Sequence, residues 1–471
     1  MSDFNKLVLY QRFLPVISLI FLGYVSIIIY RYVVSKLSGK ELRNVALIFL
    51  VALVLRFYGH MVMSVPEYMY TAMGNVIAET GRYGMCFGEF YCFPAYKPYT
   101  LFTSFLGLLF RFFENNLFTA RFLNMLVGAL TVFPLAVLEK NFSKRLNYVL
   151  PSLLAFFPGH IIISASMESY VFLIFFMAAA LALIYDSSQE YLPRAAMVSL
   201  AAFVSKPFAF VLFIPLVIRG YRSREIFFDR WRESLTFLFY CISFFPIYYL
   251  FVFLHRDYVP GLLVGESIFR AVNVFGGNVI GLFFLIPGIA SFLYGFFRED
   301  TRTVSMMLLV MFVALIPHSD TKPFLWMPFI SLSVFEAGMV VSKILDSWDL
   351  EISGMKLIAV LIVGLVMVVP IYDGGNYVFE EEARLERMID ERRSKGRIAG
   401  IRRSDLLNSV SDAETLSLTL YRFEGNSSRV YLFTSERCEN VDVENMEDYV
   451  FNGRVDVDSK YRFCEFVKSS G

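Results

Sequence analysis

Runs of roughly 20 mainly apolar residues, the length that crosses a bilayer as a helix, recur along the first 373 positions. They lie near 13–30, 43–63, 119–138, 147–166, 169–186, 194–218, 234–254, 277–297, 303–317, 322–342 and 355–372. The run 194–218 is interrupted at Lys206-Pro207, so it reads either as one broken span or as two short helices, and the total is about 11–12 crossings. The segment KPYTLFTSFLGLLFRFF at 97–113 is shorter and carries Lys97 and Arg111 near its ends. It reads as a re-entrant or interfacial helix within a first outer loop spanning 64–118. Beyond residue 373 the pattern turns charged: EEEARLERMIDERRSKG reads as an exposed helix, and LSLTLYRF and RVYLFTS read as strands bounded by turn residues such as Glu424-Gly425-Asn426. The expected fold is therefore mostly α, a polytopic transmembrane helical bundle over 1–373 followed by a small soluble α/β domain over 374–471.

Composition removes the soluble alternative. The chain is 57% hydrophobic and only 18% charged, with mean hydropathy +0.57, outside the range of soluble globular domains. A net charge of +1 gives no basic face for nucleic acid. Short cytoplasmic loops collect Lys and Arg. The clusters Arg31/Lys36/Lys40/Arg43, Lys140/Lys144/Arg145 and Arg219/Arg222/Arg224/Arg230/Arg232 are expected inside, with Arg298 and Arg302. Alternation from those anchors puts the loop after residue 63, the Glu168 junction, the 255–276 loop, the Pro317–Lys322 corner and the C-terminal segment on the outer face of an integral plasma-membrane protein. Lys6 and Arg12 before an apolar run resemble a signal peptide, but no small-residue cleavage pattern follows, so a retained first span with its N-terminus outside is expected. Cys86 and Cys92 fall in the first outer loop and Cys438 and Cys464 in the C-terminal segment, so two outward disulfides and unpaired thiols both stand as readings. CFGEFYC lacks the spacing of a zinc site, and the sequon Asn426-Ser427-Ser428 is too short a match to carry weight.

Ionisable groups at span ends mark candidate chemistry. Glu67 opens the helix-like stretch PEYMYTAMGNVIAETG, where a bland N-terminal charge is worth a few tenths of a kcal/mol. Its company shifts the balance: Tyr70 lies one turn on, Gly81-Arg82-Tyr83 closes the stretch, and Lys97-Pro98 follows. Arg121 begins a span, where it either snorkels to head groups or grips a phosphate as a bidentate fork. Glu168 separates two apolar runs with almost no loop, and a buried carboxylate there needs a partner. Lys206 either kinks its span together with Pro207 or places an ammonium in a cavity. His318, Asp320 and Lys322 lie in the corner PHSDTKPFLWMP, where charges either end a span or meet a lipid phosphate.

Taken in order, the acid with Tyr and Gly, Lys-Pro, Ala-Arg, a single acid between spans, an intraspan Lys and a basic corner resemble the GT-C glycosyltransferases. The closest resemblance is to the branch of the protein O-mannosyltransferases and the lipid A aminoarabinose transferases. It covers roughly residues 43–345 and rests on spacing. It implies transfer from polyprenyl-phosphate sugars, dolichyl phosphate among the carriers, on the outer or lumenal face. Glu67 and Glu168 would be the candidate bases, and Tyr70, Tyr83, Lys97, Arg121, Lys206, His318 and Lys322 would bind substrate. Where the family has an Asp-Glu pair, this chain has Pro66-Glu67, so the base is Glu67, Glu168, or lost.

The residue types suit that chemistry. Departure of a lipid phosphate raises its charge, so cations there favour the transition state over the ground state. A carboxylate that activates the acceptor hydroxyl contributes roughly 10²–10⁴-fold. One displacement inverts the anomeric centre, and the acceptor is a protein, lipid or glycan hydroxyl. No Asp-x-Asp cluster lies near Glu67, so neither a metal nor any other cofactor is expected. The alternatives are a transporter or flippase, or a non-catalytic lipid-sugar-binding protein. An oligosaccharyltransferase is a weaker reading, because it calls for a metal-binding acid set and a large outer domain.

Overall fold

The computed structural model describes residues 2–58, 65–87, 91–94, 100–113, 117–143, 145–167, 169–222, 293, 299–315, 327–348, 397–400, 416–417, 429–434, 449–456 and 462–468. The expected spans at 234–254 and 355–372, the loop 255–276 and the sequon lie outside them, as does 277–297 apart from residue 293.

The protein is mostly helical. Its described helices are α1 (Ser2–Lys36), α2 (Gly39–Tyr58), α3 (Val65–Thr80), α4 (Thr100–Phe112), α5 (Leu117–Leu130), α6 (Val132–Phe142), α7 (Val149–Phe156), α8 (Pro158–Ser164), α9 (Tyr170–Ile184), α10 (Leu192–Ser205), α11 (Phe213–Arg222), α12 (Glu299–Leu315) and α13 (Met327–Ser347). Among the described residues, three stretches are long and apolar enough to cross a membrane: Phe13–Lys36, Phe118–Phe142 and Pro328–Ser347. The first has many exposed large apolar side chains, including Phe13, Ile17, Ile20 and Tyr30, as a lipid-facing helix would. Helix α9 is apolar on every side and buried along nearly its whole length, which makes it the central post, packed by α5, α6 and α10.

Prolines cut the apolar runs where the sequence places them. Pro158 disfavours helical geometry at the residue before it, and Phe157 is extended, so the run 147–166 divides into α7 and α8. Pro207 acts in the same way on Lys206, whose φ of −159° and ψ of 139° end α10 before a 3₁₀ segment, Pro207–Leu212, and then α11. The run 194–218 is thus two short helices around a break. Segment 97–113 holds the thirteen-residue α4, which packs on α3. That packing is close because both helices present glycine: a Cβ on Gly107 would lie 2.5 Å from Ile77, and one on Gly74 would lie 2.9 Å from Phe110.

Two turns are built by side chains. Ser38 and Glu41 form a capping box on α2, with the Ser38 N–H donating to Glu41 Oε2 at 2.7 Å and the Glu41 N–H reaching Ser38 Oγ at 3.4 Å. Buried Glu139 accepts the N–H groups of Asn147 (3.0 Å), Val149 (3.3 Å) and Leu150 (3.0 Å), so this acid caps α7. Ser342 on α13 donates to the same carboxylate at 2.9 Å.

Two sheets are described. Strands β1 (Gly84–Phe87) and β2 (Tyr91–Pro94) form an antiparallel hairpin after α3. The C-terminal segment contains a mixed five-stranded sheet of β3 (Arg397–Gly400), β4 (Leu416–Ser417), β5 (Arg429–Thr434), β6 (Tyr449–Asp456) and β7 (Arg462–Lys468), in the order β4-β3-β5-β7-β6. The pairs β3–β4 and β3–β5 are parallel, β5–β7 and β7–β6 antiparallel. Cys464 on β7 is disulfide-bonded. Cys438, its expected partner, lies outside the described residues.

Candidate functional site

The break at Lys206 does more than end a helix. It carries the ammonium to α3, where Lys206 Nζ donates to the Tyr70 hydroxyl at 3.1 Å. The Tyr70 hydroxyl lies 2.9 Å from Ser169 Oγ. Because Lys206 can only donate, the Tyr70 oxygen accepts from it and its own proton is available to Ser169. Lys206 Nζ also lies 4.3 Å from the centre of the Tyr170 ring, a cation–π contact. The Tyr70 ring packs edge-on against Phe102 of α4, with centroids 5.0 Å apart. Lys206, Tyr70 and Ser169 are all buried, so the ammonium sits where desolvation is costly and close partners are required.

Ser169 belongs to the short turn between α8 and α9 that also contains Glu168. Glu168 itself lies outside the described residues, but both flanks of it are tied down. Asn124 Nδ2 on α5 donates to the Ser166 carbonyl at 2.6 Å, and the Thr71 hydroxyl of α3 reaches Met167 Sδ at 3.6 Å. Arg121, one turn before Asn124 on the same face of α5, is 3% exposed. The chain on either side of the acid is therefore held between α3 and α5, with Lys206 entering from the α10 break.

Of the candidate residues, Tyr70 and Lys206 meet directly, and Arg121 lies on the helix that holds the Glu168 turn. Glu67 lies in the first turn of α3, where Pro66 fits the N-terminal end of a helix. Tyr83 goes elsewhere: it is buried in a small apolar cluster with Met73 and Ile77, against Leu14. Lys97, His318 and Lys322 lie outside the described residues. Among the described residues, no three His, Cys, Asp or Glu side chains converge to hold a metal ion.

Sequence reasoning did not single out Ser169, Tyr170 or Asn124. The signal was available for Asn124, three positions after Arg121 on one helix face, but not for Ser169, whose role depends on a contact across the bundle. It also missed a buried pair: Arg56 Nη2 donates to His160 Nδ1 at 2.6 Å, with both residues fully buried. Each stands inside an apolar run, LVALVLRFYG and LLAFFPGHIII, and an ionisable residue there was the available clue. A further buried polar contact joins Ser305 of α12 to Glu336 of α13.

No protein-family model and no curated protein sequence matches the chain. Among solved structures, it is similar to the Archaeoglobus fulgidus oligosaccharyltransferase in complex with zinc and sulfate, at 14% identity and a TM-score of 0.47. It is similar to the same degree to that enzyme tethered by a disulfide to an acceptor peptide containing the NVT sequon. The match covers 80% of this chain, which spans 62% and 63% of the two matched chains.

Proposed function

We propose that the protein is a membrane glycosyltransferase that moves a sugar from a polyprenyl-phosphate-linked donor to an acceptor hydroxyl, with inversion. The observation that carries this reading is the convergence of the Lys206 ammonium and the pinned Glu168 turn on Tyr70, beside the helix that bears Arg121. Buried cations beside a turn whose sequence carries an acid suit a reaction in which a hydroxyl must lose a proton while a phosphate gains charge. Arg121 and Lys206 bind the lipid phosphate, and Glu67 or Glu168 takes the acceptor proton. The site and the C-terminal domain face outward, as the Lys and Arg distribution implies.

The test uses purified protein in liposomes with a radiolabelled polyprenyl-phosphate sugar and a membrane extract as acceptor source. Transfer of label to an acceptor is the expected result. Movement of the intact donor across the bilayer without transfer would replace this reading with a flippase. Saturable donor binding with neither transfer nor movement would make the protein a binding module.

A further inference from the structure

Helix α3 does not run into open loop. It ends at Gly81, whose φ of +66° is the left-handed conformation that closes a helix, with its N–H bonded to the Ile77 carbonyl at 2.9 Å. Tyr83 then folds back onto α3 beside Met73 and Ile77. The chain proceeds directly into β1, which pairs antiparallel with β2. In that hairpin the register sets Gly84 opposite Pro94, Met85 opposite Phe93, Cys86 opposite Cys92 and Phe87 opposite Tyr91.

We propose that Cys86 and Cys92 form a disulfide that staples this hairpin to a single register. Directly opposed residues of an antiparallel pair have Cα atoms about 4.5–5.5 Å apart and share one face of the ribbon. That separation falls inside the roughly 4.4–6.8 Å range that disulfides span. A slip of one residue in the hairpin would end the opposition and send the two cysteines to opposite faces. The register is therefore a specific statement about this pair and not a general consequence of two cysteines lying close in sequence. A second observation concerns the compartment: Cys464 is disulfide-bonded, so the chain carries oxidised cysteine in a segment whose sidedness from the Lys and Arg pattern matches that of the first loop.

Bond formation releases two protons and two electrons from the thiols. The electrons pass to the disulfide of an exchange oxidoreductase in the oxidising compartment, which leaves as a dithiol. The ring that closes is short, so the gain in stability from restricting the unfolded chain is modest. A two-stranded hairpin is marginal in water by itself, and the staple holds it in register where it leaves α3, the helix that carries Tyr70. This inference does not depend on the glycosyltransferase reading.

The test is a thiol map of the full-length protein purified in detergent without reductant, denatured in an excess of alkylating reagent and digested with trypsin. Lys97 precedes Pro98 and resists cleavage, so Cys86 and Cys92 fall on one peptide from Tyr83 to Arg111. The expected peptide is unalkylated, with a mass two hydrogens below the dithiol form, and takes up two alkyl groups only after reduction. Cys86→Ser should leave Cys92 open to a single alkylation without reductant. Two alkyl groups on the unreduced wild-type peptide would overturn the proposal. A cross-link from either cysteine to Cys241, Cys438 or Cys464 would overturn it equally. The wild-type map decides the matter even where the serine variant fails to accumulate.

Discussion

The two ends of helix α9 hold polar clusters of similar composition that are built in opposite ways. The helix begins after Ser169 and ends just before Asp186; its fifteen residues separate the clusters by about 22 Å. At the Asp186 end, Lys36 Nζ meets Asp186 Oδ2 at 2.6 Å, the Tyr32 hydroxyl donates to the same oxygen at 2.8 Å, and the Ser188 N–H caps the other oxygen at 2.8 Å. Asn141 Nδ2 donates to the Tyr32 oxygen and to the Ala182 carbonyl, while Arg219 reaches the Asp186 carbonyl at 2.9 Å. Lys140 extends the network to Glu41 and to the Lys36 carbonyl. This acid is fully buried and its oxygens are taken up by the protein, so its work is to fasten α1, α6, α9 and α11 together.

At the Ser169 end the fastening falls on the neighbours of the acid. Asn124, Thr71 and Tyr70 bind residues 166, 167 and 169, and the cation arrives on an extended residue at a helix break. Among the described residues, one end gathers its bonds on a buried acid, whereas the other gathers them on the chain flanking position 168. Lys and Tyr thus carry different meanings at the two ends, and burial alone does not separate them. What separates them, among the described residues, is where the bonds go: at one end they converge on the Asp186 carboxylate, and at the other they hold residues 166, 167 and 169 on either side of position 168.

The largest effect expected on this contrast is chemical. Glu67→Gln should lower turnover by roughly two or more powers of ten, as for a lost general base, with donor binding nearly unchanged, while Glu168→Gln does less harm. Steady-state kinetics together with donor-binding isotherms measure both. Reversal of the order makes Glu168 the base, and full activity in both variants removes the enzyme reading of this end.

Breaking the other end should show in stability instead. Lys36→Met keeps the apolar stem but removes the cation facing the buried Asp186 carboxylate, which keeps the Tyr32 hydroxyl and the Ser188 N–H as donors, at a cost of about 3 kcal/mol, the low end for breaking a buried ion pair. Thermal unfolding in detergent should register the loss, and kcat/KM of the folded fraction should stay at the wild-type value. A selective loss of catalytic efficiency with normal stability would mean that the Asp186 network serves the reaction.

Arg121→Ala and Lys206→Ala sharpen the comparison from the Ser169 end. Each should weaken donor-dependent activity by about 1.5–3 kcal/mol, the worth of a charge-assisted contact to an anion. Expression and monodispersity should be retained, and kinetics unchanged in both variants would remove these residues from the phosphate site.

How much of this was legible in the sequence follows from the range of each cause. Apolar run length and the prolines act locally, so the helical class and the Lys206-Pro207 break could be read from the chain. The division at Phe157-Pro158 follows the same rule but was masked by the continuous apolarity of 147–166. Tyr70 and Lys206 could be nominated as candidates, yet they are 136 positions apart, and only packing through Gly74 and Gly107 brings α3 and α4 close enough to set the Tyr70 ring on Phe102. The Arg31–Arg43 and Lys140–Arg145 clusters were read as topology signals, which left no reason to see Lys36 and Lys140 as structural cross-links. Asp186 was not singled out at all, because a lone acid after an apolar run looks like the start of a solvated loop.

The smallest effect lies at the edge of the Asp186 network, where Glu41 accepts from Lys140 Nζ at 2.9 and 2.8 Å. Partial burial pushes the Glu41 carboxyl upward, but the hydrogen bonds from Lys140 and Ser38 outweigh it and hold the group below its ordinary value of 4.5. A carboxylate lowered in the folded state stabilises the protein above its unfolded pKa, and that contribution is lost as the pH falls through the lower folded value. Glu41 and Lys140 are 20% and 35% exposed, so solvent screening limits the pair to under about 1 kcal/mol. Glu41→Gln should therefore unfold at a slightly lower temperature than wild type near pH 6, and the gap should close as the pH falls through the lowered folded value of Glu41. Thermal melts of both proteins across that interval, at low and at high salt, measure it. A gap that stays constant with pH would show that the loss comes from the helix cap at Ser38 and not from the charge on Glu41.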